Sequence, residues 1–285
     1  EMPRGFNLLK QIKGSIQINK IIEEENPDIV HAHFTTSIFT TVLLKKRNID
    51  ILGTFHGLGF VATKGIKKVL LYLIEIFCFF RLKKIIVLNT IDFSSIPKIF
   101  QSKRIKQKSL GLGCNLKLFD RNRFSYSYIR ERKKELDLED TFVIAFTGRY
   151  VDFKGFDIVA KTFMRLASEG EYRIKLILIG GKDAIHKTGL GIEEEKSFFK
   201  NKDVLDIGFT NKVESYLVLS DLFFFPSSKE GIPISITEAL AMGIPVLTYN
   251  SRGCNDLVSN GYNGILVDPS LNMGKDIDKF CQIIK

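Results

Sequence analysis

Along this chain, short β-branched and aromatic runs that end in Gly, Asn or Thr alternate with longer stretches whose apolar residues recur at helical spacing and whose outer faces are charged. That alternation predicts βαβ units and parallel sheets, an α/β fold. In the first part it predicts strands over residues 28–33, 50–55 and 84–88, with helices over 8–24, 37–46 and 66–80 and a short one near 94–100. Three strands are few for a self-sufficient sheet. A fuller series follows, with strands over 142–147, 174–179, 204–207, 222–225, 245–248 and 264–267 and helices such as 156–168 between them. It reads as a complete doubly wound unit.

With 285 residues and 45% hydrophobic content, the chain exceeds the usual size of one domain, so two are expected, 1–112 and 113–285. Residues 115–140, with the charged stretch 128–140, read as a connection followed by a helix leading into the second sheet. The longest apolar run, 69–80, is interrupted by Glu75 and falls short of the about 20 residues that a spanning helix needs. The opening residues lack a signal-peptide core, and Cys78, Cys114, Cys254 and Cys281 show no metal or redox spacing. A cytoplasmic location is therefore expected, with peripheral attachment to the inner face of the cell membrane as an option.

Charge sharpens that option. Residues 1–130 carry 22 Lys and Arg against 9 Asp and Glu, so the net charge of +10 belongs entirely to the first part. Lys67 and Lys68 precede the apolar run, Arg81, Lys83 and Lys84 follow it, and Lys103, Arg104, Lys106 and Lys108 cluster beyond. An anionic membrane surface would attract them; a solvated basic surface around an ordinary core helix is the alternative. No nucleic-acid partner is expected, because the cations are not interleaved with a groove-reading or aromatic module.

In open parallel sheets, ligands bind beyond the carboxyl ends of strands, where helix N-termini offer backbone amides to anions. Two segments there carry chemistry. Gly148, Arg149, Lys154 and Gly155 lie at a strand-to-helix loop: Arg149 offers a planar fork for phosphate oxygens, Lys154 a point charge, and Gly155 close backbone approach. The alternative is a solvated loop. The second segment, 226–241, follows the strand 222–225 and contains Glu230, Gly231, Ile234, Ser235 and Glu238, with Pro233 fitting the first turn of a helix. Were all of it helical, Glu230 and Glu238 would stand about 12 Å apart, too far to act on one atom. They are expected to touch different parts of one extended ligand, as a nucleoside-diphosphate sugar would be.

These motifs resemble those of the retaining GT-B glycosyltransferases of the glycogen-synthase and sucrose-synthase-like superfamily, the family 4 type, especially bacterial enzymes that extend lipid-linked glycans, capsules or O-antigens. Glu230 and Glu238 match its E-x7-E motif, and Gly148 to Gly155 its G-R-x4-K-G motif. The resemblance implies two Rossmann-like domains facing a cleft, with Arg149 and Lys154 on the donor diphosphate, Glu230 on the transferred sugar and Glu238 on the ribose. It makes Gly208, Phe209 and Thr210 the nucleobase-side loop and His56 the histidine near the donor sugar. It also implies same-face transfer from a nucleotide sugar, expected to be UDP-linked, to a glycan or polyprenyl-diphosphate-linked acceptor. No cofactor or metal is expected, since Arg149 and Lys154 can neutralise the leaving group.

Members of that superfamily begin with further βα units and end in helices that cross back, so this chain is expected to be truncated at both ends and its first domain incomplete. Asn115 in the stretch 111–115 stands where they usually carry Asp. Two other classes stay open on the sequence: a nucleotide-sugar epimerase of the same architecture, and a non-catalytic nucleotide-binding remnant.

Overall fold

In the computed structural model, which describes residues 7–45, 48–107 and 112–285, each expected alternation folds as a parallel βα unit. The chain divides into two units, Glu1–Gly111 and Leu112–Lys285.

The first unit holds α1 (Leu8–Glu25), β1 (Ile29–His33), α2 (Thr35–Leu43), β2 (Asp50–Phe55), α3 (Gly65–Arg81), β3 (Lys84–Val87), α4 (Thr90–Ser95) and β4 (Arg104–Lys106). Its sheet runs in the order β1-β2-β3-β4 with parallel pairing throughout. The core beneath includes Ile38, Val42, Ile51, Phe55, Phe79 and Ile85.

Four strands among the described residues correct the expectation of three. β4 offers one apolar residue, Ile105, between Arg104 and Lys106, so no hydrophobic period marks it; pairing with β3 makes it a strand. The short helix expected over 94–100 is two pieces. Asn89 caps α4 by accepting from the Asp92 amide, and Ile96 turns extended before Pro97, since proline disfavours the α region in its predecessor. A single 3₁₀ turn, Lys98–Phe100, follows. The expected helix end at Lys46, the cation Lys108 and Gly111 lie outside the described residues.

The second unit holds α5 (Tyr126–Glu135), β5 (Phe142–Tyr150), α6 (Phe156–Glu169), β6 (Ile174–Lys182), α7 (Ile192–Lys200), β7 (Val204–Gly208), α8 (Val213–Leu217), β8 (Leu222–Phe225), α9 (Ile234–Ala241), β9 (Val246–Tyr249), β10 (Gly264–Val267) and α10 (Met273–Ile284). The strand order is β10-β9-β8-β5-β6-β7, so the chain steps outward from β5 to β7 and then crosses to β8 on the other side. The switch point lies between β5 and β8, where ligands settle in such folds.

β5 and β6 continue past their apolar segments to Tyr150 and Lys182, held in register as Arg149↔Gly181 and Tyr150↔Lys182. Arg149 is thus the penultimate residue of a strand, where the sequence placed it in a loop. Glycine is required where the two backbones converge: at Gly180 (φ 141°) a Cβ would stand 1.9 Å from the Gly148 carbonyl oxygen.

Candidate functional site

The loops after β5 and β8 bring the two motifs together in the second unit. The β5 loop turns through Asp152–Lys154 into Gly155 (φ 77°), which opens α6. A Cβ at Gly155 would stand 2.2 Å from the Pro226 carbonyl oxygen, so only glycine lets this loop lie against the one after β8. Across that contact Lys154 Nζ pairs with Glu230 Oε1 at 2.5 Å. Glu230 is 7% exposed, and the Ser227 hydroxyl donates to the same oxygen at 2.9 Å while lying 3.0 Å from the Phe153 carbonyl. A third loop closes on the pair: Ser251 Oγ donates to the Ser227 carbonyl at 2.7 Å, and Gly253 (φ 81°) lies where a Cβ would meet the Gly231 carbonyl at 2.4 Å.

Segment 226–241 is not helical throughout. α9 starts at Ile234, with Pro233 as an extended N-cap (φ −79°, ψ 112°), which corrects its placement in the first turn. Glu230 therefore sits in the loop before the helix and Glu238 on its second turn. No side chain caps the first turn of α9, so the amides around Ile234 and Ser235 face outward at the positive end of the helix.

Arg149 departs from expectation in its partner. Half exposed, it pairs with Asp183 Oδ2 at 2.6 Å. The Asp183 carboxyl is held far below the usual range, first by the Ile185 amide, then by Arg149 and His186. Glu238 shows the reverse: burial, then the charge of Glu214, pushes its pKa up to about 7. Glu214 is buried, and its Oε2, like the hydroxyls of Thr147 and Thr237, has no hydrogen-bond partner among the described residues. Buried polar atoms are ordinarily paired; of these three residues, Thr147 adjoins the first motif and Thr237 lies in the second segment. Gly208 ends β7 (φ 71°), and the Phe209 ring after it is 94% exposed, beside Thr210.

In the first unit, the ends of β1 and β2 gather three of the four histidines. His33 Nδ1 lies 3.0 Å from His56 Nε2, His31 Nε2 lies 2.7 Å from Thr54 Oγ1, and the Phe34 ring stacks on His56 with centroids 4.0 Å apart. Burial first, then His33 and His31, lowers the pKa of His56, so the ring is neutral near pH 7.

Asp183, Ser227, Glu214 and Ser251 were not singled out from the sequence. Asp183 directly follows β6, next to the end of β5 that carries Arg149. The 69–80 run folds as α3 with two apolar faces. Leu71, Cys78 and Phe79 enter the core, while Ile66, Val69, Leu70, Leu73, Phe77 and Phe80 form an exposed stripe.

The family model for glycosyl transferases group 1 matches residues 128–284, more than half of the chain, and that for glycosyl transferase 4-like proteins matches residues 1–89. The chain is similar to the capsular polysaccharide biosynthesis glycosyltransferase CapM of Staphylococcus aureus, 29% identical over 276 residues, which covers 94% of this chain and 70% of that protein. It is also similar to the UDP-Gal:alpha-D-GlcNAc-diphosphoundecaprenol alpha-1,3-galactosyltransferase of Escherichia coli, 26% identical over 288 residues, covering 97% of this chain and 70% of that protein. Among solved structures, Anabaena HepE in complex with UDP shares the fold with a TM-score of 0.73 at 16% identity, over 94% of this chain and 73% of that one. The architecture is therefore the α/β GT-B fold.

Proposed function

The chain belongs to the glycosyl transferases group 1 family, and on that premise we propose that it moves a sugar from a UDP-linked donor to a polyprenyl-diphosphate-linked glycan, with retention of anomeric configuration, in surface polysaccharide or lipopolysaccharide assembly. The observation that carries this reading is the meeting of Lys154 and Glu230 at the carboxyl ends of β5 and β8, beside the uncapped start of α9. A cation and helix amides hold a diphosphate there, and carboxylates accept from sugar and ribose hydroxyls. In this assignment Arg149 and Lys154 take the diphosphate and Glu230 and Gly231 the sugar. Glu238 takes the ribose, and Phe209 stacks on the base. The Escherichia coli galactosyltransferase and the UDP complex of HepE support the UDP-sugar, and the former supports the undecaprenyl-diphosphate acceptor.

The acceptor oxygen attacks the anomeric carbon on the face from which the diphosphate departs. The bond to the leaving oxygen breaks with its electron pair, and the acceptor proton passes to that departing oxygen. Arg149 and Lys154 stabilise the developing charge, so we propose that no metal is required. His56, neutral at pH 7, meets a donor-sugar hydroxyl in this reading. The test is UDP-galactose with GlcNAc-diphosphoundecaprenol in chelator: an α-linked product is expected, whereas a β-linked product or loss of turnover on chelation would contradict the reading.

Glu238 makes donor binding pH-dependent. Its carboxyl is protonated below about pH 7, and only the ionised form is a full acceptor for ribose hydroxyls. UDP affinity should fall by about tenfold from pH 8 to pH 6 relative to Glu238→Gln, which shares any titration of the nucleotide itself. Parallel profiles for the two proteins would remove the role given to Glu238.

The exposed stripe of α3, with Lys67 and Lys68 at one end and Arg81 and Lys83 at the other, fits an anionic bilayer surface. Each cation near such a surface contributes about 1 kcal/mol. The protein should sediment with phosphatidylglycerol vesicles and be released at high salt; equal binding to neutral vesicles would discount the cations.

A further inference from the structure

α3 carries one charged residue on its core-facing side, Glu75, and that carboxylate is fully buried. Burying a carboxylate is costly unless its oxygens are hydrogen-bonded. Here each oxygen is engaged. Oε1 accepts from the Gly59 amide at 2.9 Å and from the Thr35 hydroxyl at 2.7 Å, and Oε2 accepts from the Phe60 amide at 3.3 Å. The neighbouring amide, Leu58, donates at 3.0 Å to Asp92, a second fully buried carboxylate, which Asn89 also holds at 2.8 Å. Three consecutive amides of the loop after β2 are therefore fixed by two buried carboxylates. A Cβ at Gly59 would be crowded, 3.2 Å from a Leu71 methyl and 3.3 Å from Glu75 Oε1.

Another partner of Glu75 lies at the start of a helix. Thr35 opens α2 directly after Phe34, whose ring stacks on His56, and His33 precedes it with its ring bonded to His56. One carboxylate thus joins the β1–α2 junction, where His33 ends the strand and Phe34 follows, to the loop after β2, carrying His56. We propose that Glu75 is a positioning residue that clamps these two segments together and fixes the His33–His56 imidazole pair for transfer. This rests on the reading that His56 meets the donor sugar. Neither the apolar packing of α3 nor the pairing of β1 with β2 requires a carboxylate at position 75.

The test uses the whole chain labelled at its histidine rings, whose four signals include His186 of the other unit as an internal control. Glu75→Gln keeps shape but exchanges an acceptor oxygen for a donor facing the Thr35 or amide donors. The His33 and His56 signals should shift or broaden while His186 stays in place. Turnover of UDP-galactose with GlcNAc-diphosphoundecaprenol should fall roughly 10- to 100-fold in kcat, the effect of a small misplacement of a reacting group, with its KM little changed. Thr35→Val, which removes one of the three donors, should move the same signals less. Unchanged His33 and His56 signals in Glu75→Gln overturn the clamp. So does a rise in KM with kcat intact. If Glu75→Gln fails to fold, an unmoved His56 signal in Thr35→Val overturns it. Shifted rings in a chain whose wild type does not turn over would sink the transfer reading and leave the clamp; a competent wild type with Glu75→Gln indistinguishable from it would do the opposite.

Discussion

Lys154→Ala should abolish measurable UDP binding, lower turnover by roughly 10²- to 10³-fold, as loss of a preorganised electrostatic group does, and destabilise the second unit as well. The side chain has two employments: it is the cation assigned to the diphosphate, and it is the charge partner of Glu230, which is 7% exposed. Removing it leaves a carboxylate in a poorly solvated place, with the Ser227 hydroxyl as its remaining side-chain donor among the described residues. Breaking a buried ion pair from one side costs about 3–5 kcal/mol, and Lys154, one-fifth exposed, belongs at the low end. For a unit of this size each kcal/mol lowers Tm by roughly 2–4 °C. The double variant Lys154→Met with Glu230→Gln separates the two employments, because removing both charges restores stability without restoring the phosphate site. Thermal unfolding beside nucleotide titration reads both. A double variant as unstable as the single one would mean that the ion pair is not what Lys154 stabilises.

Gly155→Ala should be the most damaging single methyl in the site. Two costs fall together there. A non-glycine residue at φ 77° is strained by about 1–3 kcal/mol, and the new Cβ would lie 2.2 Å from the Pro226 carbonyl oxygen, so the loops after β5 and β8 must move apart. Backbone cannot yield as a side-chain tip can. Since Lys154 precedes Gly155 and Glu230 follows Pro226, the displacement separates the ion pair, and nucleotide binding should be lost with a lower Tm. Gly170→Ala is the control: its φ of 67° carries the same conformational strain with nothing within 4 Å of the Cβ. If both variants lose equal stability and both still bind UDP, the close approach at Pro226 is irrelevant to the site.

How much of this was legible in the sequence followed from where hydrophobicity, as opposed to pairing or hydrogen bonding, decides the structure. β8 and β10 were predicted to the residue, because Leu222–Phe225 and Gly264–Val267 are short runs bounded by turn residues. The glycines and charges of the two motifs pointed to the carboxyl ends of β5 and β8, and the fold brings them together there. β4 was missed because a three-residue strand with one apolar member has no period to detect. Arg149 was read as loop because strand β5 outlasts its apolar segment, held by the equally long β6. Its partner Asp183 lies 34 residues away, beyond any spacing rule. Glu75 was read as an interruption of an apolar run. Its role was invisible because the donors, Thr35, Gly59 and Phe60, come from the start of α2 and the loop after β2 and include backbone amides, which leave no mark on composition.

The central claim is that the second unit binds a nucleoside diphosphate at the Lys154–Glu230 site. Calorimetric titration of the protein with UDP, GDP and ADP, beside Glu238→Ala and Lys154→Ala, tests it most directly. The account predicts that UDP binds, that GDP and ADP bind more weakly, and that UDP binding is lost in Lys154→Ala and sharply weakened in Glu238→Ala. UDP binding that is unchanged in both variants, or no binding of any of the three by a folded wild type, would contradict it.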